Sequence, residues 1–187
     1  MMHAQGRRLS FKMKVGGLVL MAALVGCASP ARIEEMSVYS SRLHSENAHL
    51  KNAVAVTDVT GGRETNAMWT SQVSSEAFRR ALESSLRNIG LSDPVISANR
   101  YHLTADILQV TQPLMGIDMT VTSNVRYGLI EATTRREVFS KIISASYTAK
   151  FSDAFAGSER LRLANEGAAK ANIQLLTEEL LRLTLPH

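Results

Sequence analysis

Few residues in this chain are of the kinds that do chemistry, and their spacing decides what they can do. His44 and His49 stand in a polar stretch, and His102 precedes Asp106 by four positions in an alternating, strand-like run. A metal needs more convergent ligands than two histidines on a polar segment, so these read as solvated side chains and no metal site is expected. On a strand, His102 and Asp106 are separated by about 13 Å, too far for a hydrogen-bonded dyad. The pair also misses the His-x-x-x-x-Asp spacing of membrane acyltransferases by one residue, and the tandem hexapeptide repeats of β-helical acyltransferases are absent from the sequence. Gly61-Gly62 has no Lys-Ser/Thr after it to hold a phosphate, which leaves a strand-to-helix turn. Gly-x-Ser-x-Gly, His-Glu-x-x-His, Walker and dinucleotide patterns do not occur. The expectation is a protein without catalytic residues or cofactors.

The remaining reactive group is Cys27, the only cysteine. A basic segment carrying Arg7, Arg8, Lys12 and Lys14 precedes an apolar run from Val15 to Gly26. That run is too short to span roughly 30 Å of hydrocarbon, so residues 1–26 read as a secretory signal peptide rather than a permanent span. It leads directly into Leu24-Val25-Gly26-Cys27, followed by Ala28. This resembles the lipobox of bacterial lipoproteins, in which small residues precede a cysteine that is diacylated and becomes the mature N-terminus. The alternative is an ordinary signal peptide with a chance cysteine near its end. A lone thiol in an oxidising compartment has no partner, whereas acylation by chains such as palmitate would consume it and anchor the protein durably. The resemblance implies lipidation at Cys27 and the membrane as a partner. Ala28 in place of Asp after the cysteine implies sorting to the inner leaflet of the outer membrane, facing the periplasm.

Charge supports this division. Of the 21 basic residues, four lie in the first 26 positions, which contain no acid; the other 17 balance 17 acidic residues. The basic pI near 9.5 therefore belongs to the leader. A body of zero net charge offers no electrostatic case for nucleic acid. With 45% hydrophobic and 20% charged residues, the remainder is globular in composition.

Residues 27–52 are polar and lack a sustained period, apart from a short helical piece around Arg32 to Met36. They read as a lipidated N-terminus and flexible tether with a reach of roughly 80–90 Å. Residues 53–187 read as a single domain. Its first strand covers 53–59, and a helix over 71–89 carries Val73, Phe78, Ala81, Leu82, Leu86 and Ile89 at three-and-four spacing, with Gly90 as its stop. Strands follow at 101–110, at 117–129 from Ile117 and Met119 to Leu129, and at 138–150, where Lys141 interrupts the apolar face. The last helix, over 159–183, places Leu161, Ala164, Ala168, Ala171, Leu175 and Leu180 inward. Leu163, Ile173, Leu176 and Leu181 fall outside that stripe, which fits either a partner groove or a helix buried on two sides. Arg160 and Arg162 read as solvated arginines at its start.

The expected fold is α+β, a four-stranded, mostly antiparallel sheet with two helices on one face in the order β-α-β-β-β-α. The Val54-Ala55-Val56-Thr57-Asp58 strand, the helix closed by Gly90 and the Tyr101–Val110 and Met119–Leu129 strands make this order similar to small envelope lipoproteins of the YajG type. It is similar also to the LPS-assembly lipoprotein and to auxiliary lipoproteins of ABC-type lipid transporters. That resemblance implies a non-enzymatic, lipid-anchored periplasmic accessory or scaffold in envelope assembly or lipid transport, with an envelope protein or lipid as partner. The alternative is a lipid- or glycan-binding module with an apolar cavity between sheet and helices. The topology gathers loops 61–70, 111–117 and 152–158 at one end, expected opposite the tether. Their Met68, Trp69, Leu114, Met115 and Phe155 are unusually apolar for loops. They form either a partner-binding tip or a cap on the core.

Overall fold

The computed structural model describes residues 27–39, 49–66, 70–93 and 100–185. The signal peptide, His44, Met68, Trp69, Pro94 and His187 lie outside them. A four-residue helix α1 (Ile33–Met36) is followed by β1 (Val54–Thr60), α2 (Ser75–Asn88), β2 (Tyr101–Thr111), β3 (Met119–Glu131), β4 (Glu137–Ala149) and α3 (Gly157–Arg182). The sheet order is β1-β2-β3-β4, with β1 parallel to β2 and the other pairs antiparallel. The expected α+β architecture is present as a mixed sheet.

Period-two alternation puts Tyr101, Leu103, Ala105 and Ile107 of β2 beside Val125, Tyr127 and Leu129 of β3, all buried under the two long helices. The opposite face carries polar pairs, among them Thr120 with Thr148 and Thr122 with Ser146, whose hydroxyls hydrogen-bond at 2.8 and 2.7 Å. Lys141 points to the helix side at the sheet's edge, where its Nζ meets Glu179 of α3 at 2.8 Å. That hydrogen bond holds the Glu179 carboxyl below its ordinary range. In β2 the register shifts between Ile107 and Gln109. The bulge sets Val110 opposite Ser123 and carries β2 past Thr60, the last residue of β1 to pair with it.

Helix α2 starts where Ser74 Oγ accepts the Ala77 N–H at 3.1 Å, a side-chain cap on an otherwise orphaned donor. It ends at Gly90, whose φ of 76° suits the left-handed residue after a helix. The Gly61-Gly62 turn is tight: Gly61 has φ 78°, and a Cβ on it would collide with the Ile107 carbonyl oxygen. Only glycine fits there without strain.

Two expectations fail here for related reasons. Residues 27–52 do not form a free tether along their described parts. Ala28, Ala31, Met36, Val38 and Leu50 are buried. Ser71 Oγ donates to the Ser29 carbonyl at 2.8 Å, while Ser85 Oγ accepts the Val38 N–H at 2.9 Å. The segment thus runs as a strap along α2, from its N-terminal to its C-terminal end. It also contacts α3, where Arg32 N–H and Nε donate to Glu166 Oε1 at 2.8 and 3.2 Å. An irregular strap takes its contacts from other elements, so it leaves no period in the sequence.

Covered by the sheet on one side and the strap on another, α3 buries Ile173 and Leu176, and the helix buried on two sides is the arrangement found. Leu175, expected inward, is 41% exposed instead. Arg160 and Arg162, expected in solvent, are each 6% exposed. Arg162 pairs with Glu166 at 2.5 Å and also with Glu159.

Polar groups inside the sandwich are matched in the same way. Tyr127 Oη donates to Asn172 Oδ1 at 2.8 Å, and Asn172 Nδ2 donates to the carbonyls of Ser123 and Ile143 at 3.1 and 2.9 Å. Burial pushes the Tyr127 phenol well above its ordinary range. Truncating Asn172 to Ala strands a buried hydroxyl and two carbonyls, so urea unfolding should show a loss of about 2 kcal/mol or more. Adding Tyr127→Phe to that variant should cost less than the sum of the two single changes.

Candidate functional site

The sheet ends, the N-terminus of α3 and the strap converge at one end of the molecule. Loop 112–118 joins β2 to β3, and residues 150–156 join β4 to α3. Both loops hold apolar side chains that no part of the described chain covers. Leu114 is 95% exposed, Phe155 87%, Met115 84% and Ile117 76%, with Phe151 at their base 46% exposed. For Leu114, Met115 and Phe155 this exposure is at odds with a cap on the core. Ile117, expected at the start of a strand, lies before β3 and belongs to this surface as well.

The buried Arg160 holds the two loops together. Its Nη1 donates to the carbonyls of Ala154 and Phe155, both at 2.7 Å, and its Nη2 donates to the carbonyl of Gly116 at 3.3 Å. The guanidinium lies 5.1 Å from the centroid of Phe151, which meets Phe155 edge to face at 5.5 Å. Two exposed carboxylates also bond the loop backbone: Asp118 Oδ1 accepts the Phe151 N–H at 2.9 Å, and Asp153 Oδ2 accepts the Lys150 N–H at 2.8 Å. Several hydrogen bonds thus spend the loops' polar capacity internally and leave their apolar side chains outside.

Cys27 is exposed and lies at this same end, not opposite it. Ser71 binds the Ser29 carbonyl; Asn165 Nδ2 of α3 then donates to the Ser71 carbonyl at 2.9 Å and to Gln112 Oε1 at 3.2 Å. Gln112 is the root of the apolar loop. The expectation of a tip remote from the N-terminus assumed a flexible tether, and the strap removes that freedom.

Beside this end, the overhang of β2 and the turn at Gly61 and Gly62 enclose a groove of about 410 Å³, lined also by Arg63, Gln72, Gln109 and Gln112. Between sheet and helices, a pocket lined by Val73, Phe78, Val125 and Ala169 has about 10 Å³, too little for a ligand. The apolar cavity expected there as an alternative does not appear among the described residues. His102 and Asp106 are not brought together: they stand four residues apart on β2, and Asp106 accepts from Thr60 Oγ1 at 3.0 Å and faces Arg126 at 3.9 Å. Sequence reasoning missed Ile117, Phe151 and Arg160. The recurrence of Phe151 and Phe155 in a loop of small and polar residues was a usable signal. Arg160 gave none, because its partners are carbonyls.

The described residues define an α+β sandwich with an exposed apolar end. The chain is similar in structure to a protein from Caulobacter crescentus classed as a candidate lipoprotein, at 15% identity and a TM-score of 0.50 over 70% of this chain and 88% of the other. It is similar also to a Xanthomonas campestris protein of the DUF330 family, at 11% identity and a TM-score of 0.54 over 77% and 88% of the two chains. At these identities the likeness is one of fold. No protein-family model matches the sequence. No curated protein matches it either. Among the described residues no helix is long and apolar enough to cross a membrane.

The exposure of the tip and the burial of its clamp predict opposite mutational behaviour. Phe155→Ser and Met115→Ser should shift stability by no more than about 0.5 kcal/mol. Arg160→Met should instead speed amide hydrogen exchange across residues 114–118 and 151–156, as three carbonyls lose their donor.

Proposed function

We propose that this chain is a non-catalytic, lipid-anchored protein of a bacterial envelope, acting as an accessory or scaffold in envelope assembly or lipid transport. The observation that carries the reading is Cys27 itself. It ends a Leu-Val-Gly-Cys sequence behind a secretory leader, it is exposed, and the packed body begins at the next residue, Ala28. A cysteine so placed is free for acylation while the described residues next to it, from Ala28 to Val38, pack on the body.

Ala28 in the position after the cysteine favours the outer membrane and a periplasmic body. The fold shared with a candidate lipoprotein is consistent with this. A non-catalytic role is favoured because several side chains able to do chemistry have structural partners: Asp106 is held by Thr60 and Arg126, Tyr127 by Asn172 and Glu166 by Arg32 and Arg162.

The test is metabolic labelling of the full chain with palmitate in a bacterial host, together with membrane fractionation. The wild type should carry label, lose its leader and sediment with outer membranes. Cys27→Ser should carry no label and accumulate with its leader attached. A wild-type chain that matures without label would overturn the anchor. A turnover activity lost on a point change that preserves folding would overturn the non-catalytic role.

A further inference from the structure

We propose that the exposed apolar end, formed by Leu114, Met115, Ile117 and Phe155 over Phe151, docks into the same lipid leaflet that receives the acyl chains of Cys27. This inference rests on the acylation reading and adds to it an orientation and a second contact with the bilayer.

The argument begins with reach. One extended residue spans about 3.5 Å, and after Cys27 no free residues follow. Ala28 is 7% exposed, Ser29 is bonded to Ser71, and the Ala31 N–H donates to the Gln72 carbonyl at 3.4 Å. An acylated Cys27 therefore cannot hold the body away from the bilayer. Whichever end of the domain carries Cys27 must rest against the lipid.

That end is the apolar one. From Ser29 the contacts pass through Ser71 and Asn165 to Gln112, two residues before Leu114. Four side chains between 76 and 95% exposed protrude there, Phe155 meeting only the Phe151 ring edge to face at its base. A leaflet interior accepts such protruding groups without a shape match, as it accepts the apolar face of an interfacial helix. The charged groups of the loops limit entry to a shallow depth. Asp118 and Asp153 each accept a loop amide, of Phe151 and of Lys150, yet remain exposed and stay among the headgroups, while Arg160 is buried on carbonyls beneath the surface. The Lys150 side chain stays exposed at the level of the lipid headgroups. At the far end of the sheet, the β3–β4 turn with Thr133, Thr134, Arg135 and Arg136 is polar. A membrane on one side and water on the other fit the two ends of the same sheet.

The test places an environment-sensitive fluorophore on the full, processed lipoprotein reconstituted into vesicles of phosphatidylethanolamine and phosphatidylglycerol. Acylation blocks Cys27, so Met115→Cys, Phe155→Cys and, at the far turn, Thr133→Cys each supply a single thiol. Mass spectrometry of the same samples reads the acyl chains. Probes at 115 and 155 are expected to emit to the blue and to lose intensity with acyl-brominated lipid, and the probe at 133 to do neither. Acylated protein with water-like, unquenched emission at 115 and 155 overturns the docking and leaves the anchor intact. A blue shift without quenching by brominated lipid also overturns it, since a protein or a second copy would then cover the tip. Absence of acyl chains at Cys27 defeats the anchor reading itself, and mass spectrometry separates that outcome from the other two.

Discussion

The carboxylate of Glu166 is the point through which the strap and the last helix are joined. It is 3% exposed, and it receives the backbone N–H and guanidinium of Arg32 together with Nη1 of Arg162. A buried carboxylate is tolerable only when paired and fully hydrogen-bonded, and removal of one partner from such a site costs roughly 3–5 kcal/mol. The pairing fixes where the N-terminal segment lies. It also gives Arg162, which hydrogen-bonds Glu159 as well and holds that carboxyl below its ordinary range, a reason to be inside the protein. Because Arg32 contributes a backbone amide as well as its side chain, the strap is held by its main chain.

From this contact follows the character of α3. A helix that lies only on a sheet shows one apolar stripe and one wet face. Helix α3 instead buries Asn165, Glu166, Asn172 and Thr177 among its apolar residues, because it is covered by the strap as well as the sheet. Three of these have a partner from another element: Asn172 reaches β3 and β4, Asn165 reaches the Ser71 carbonyl and Gln112, and Glu166 reaches the strap, while Thr177 Oγ1 donates to the Gln174 carbonyl of its own helix. These bonds match orphan carbonyls and amides to side chains, as a buried interior demands. They also bind the ends of the sheet to the N-terminus of the protein.

The apolar end is built on the same economy of polar groups. Arg160 from beneath and the exposed Asp118 and Asp153 bond the backbone of two irregular loops, which present carbon to the outside. Loops usually face water with polar side chains; here the most exposed large side chains are apolar. In a chain acylated at Cys27, the anchor and this surface share one end, and the polar far turn and the open Thr/Ser face of the sheet lie away from it.

Strand alternation along β2 and β3, the three-and-four spacing of Phe78, Leu82 and Leu86 and the glycine stops at Gly61 and Gly90 were all determined by the sequence itself. They are local: each depends on the periodicity of one element or on the conformational freedom of one residue, and a linear pattern records both. The packing of residues 28–39, the burial of Arg160, Arg162 and Glu166, the outward turn of Leu175 and the placement of Cys27 beside the apolar loops were decided by tertiary structure alone. None of these has a period, and a charged residue looks solvated until its partner, more than a hundred positions away for Arg32 and Glu166, is brought beside it. The balance between desolvation and pairing is set by neighbours in space, and the order of residues along the chain does not contain it.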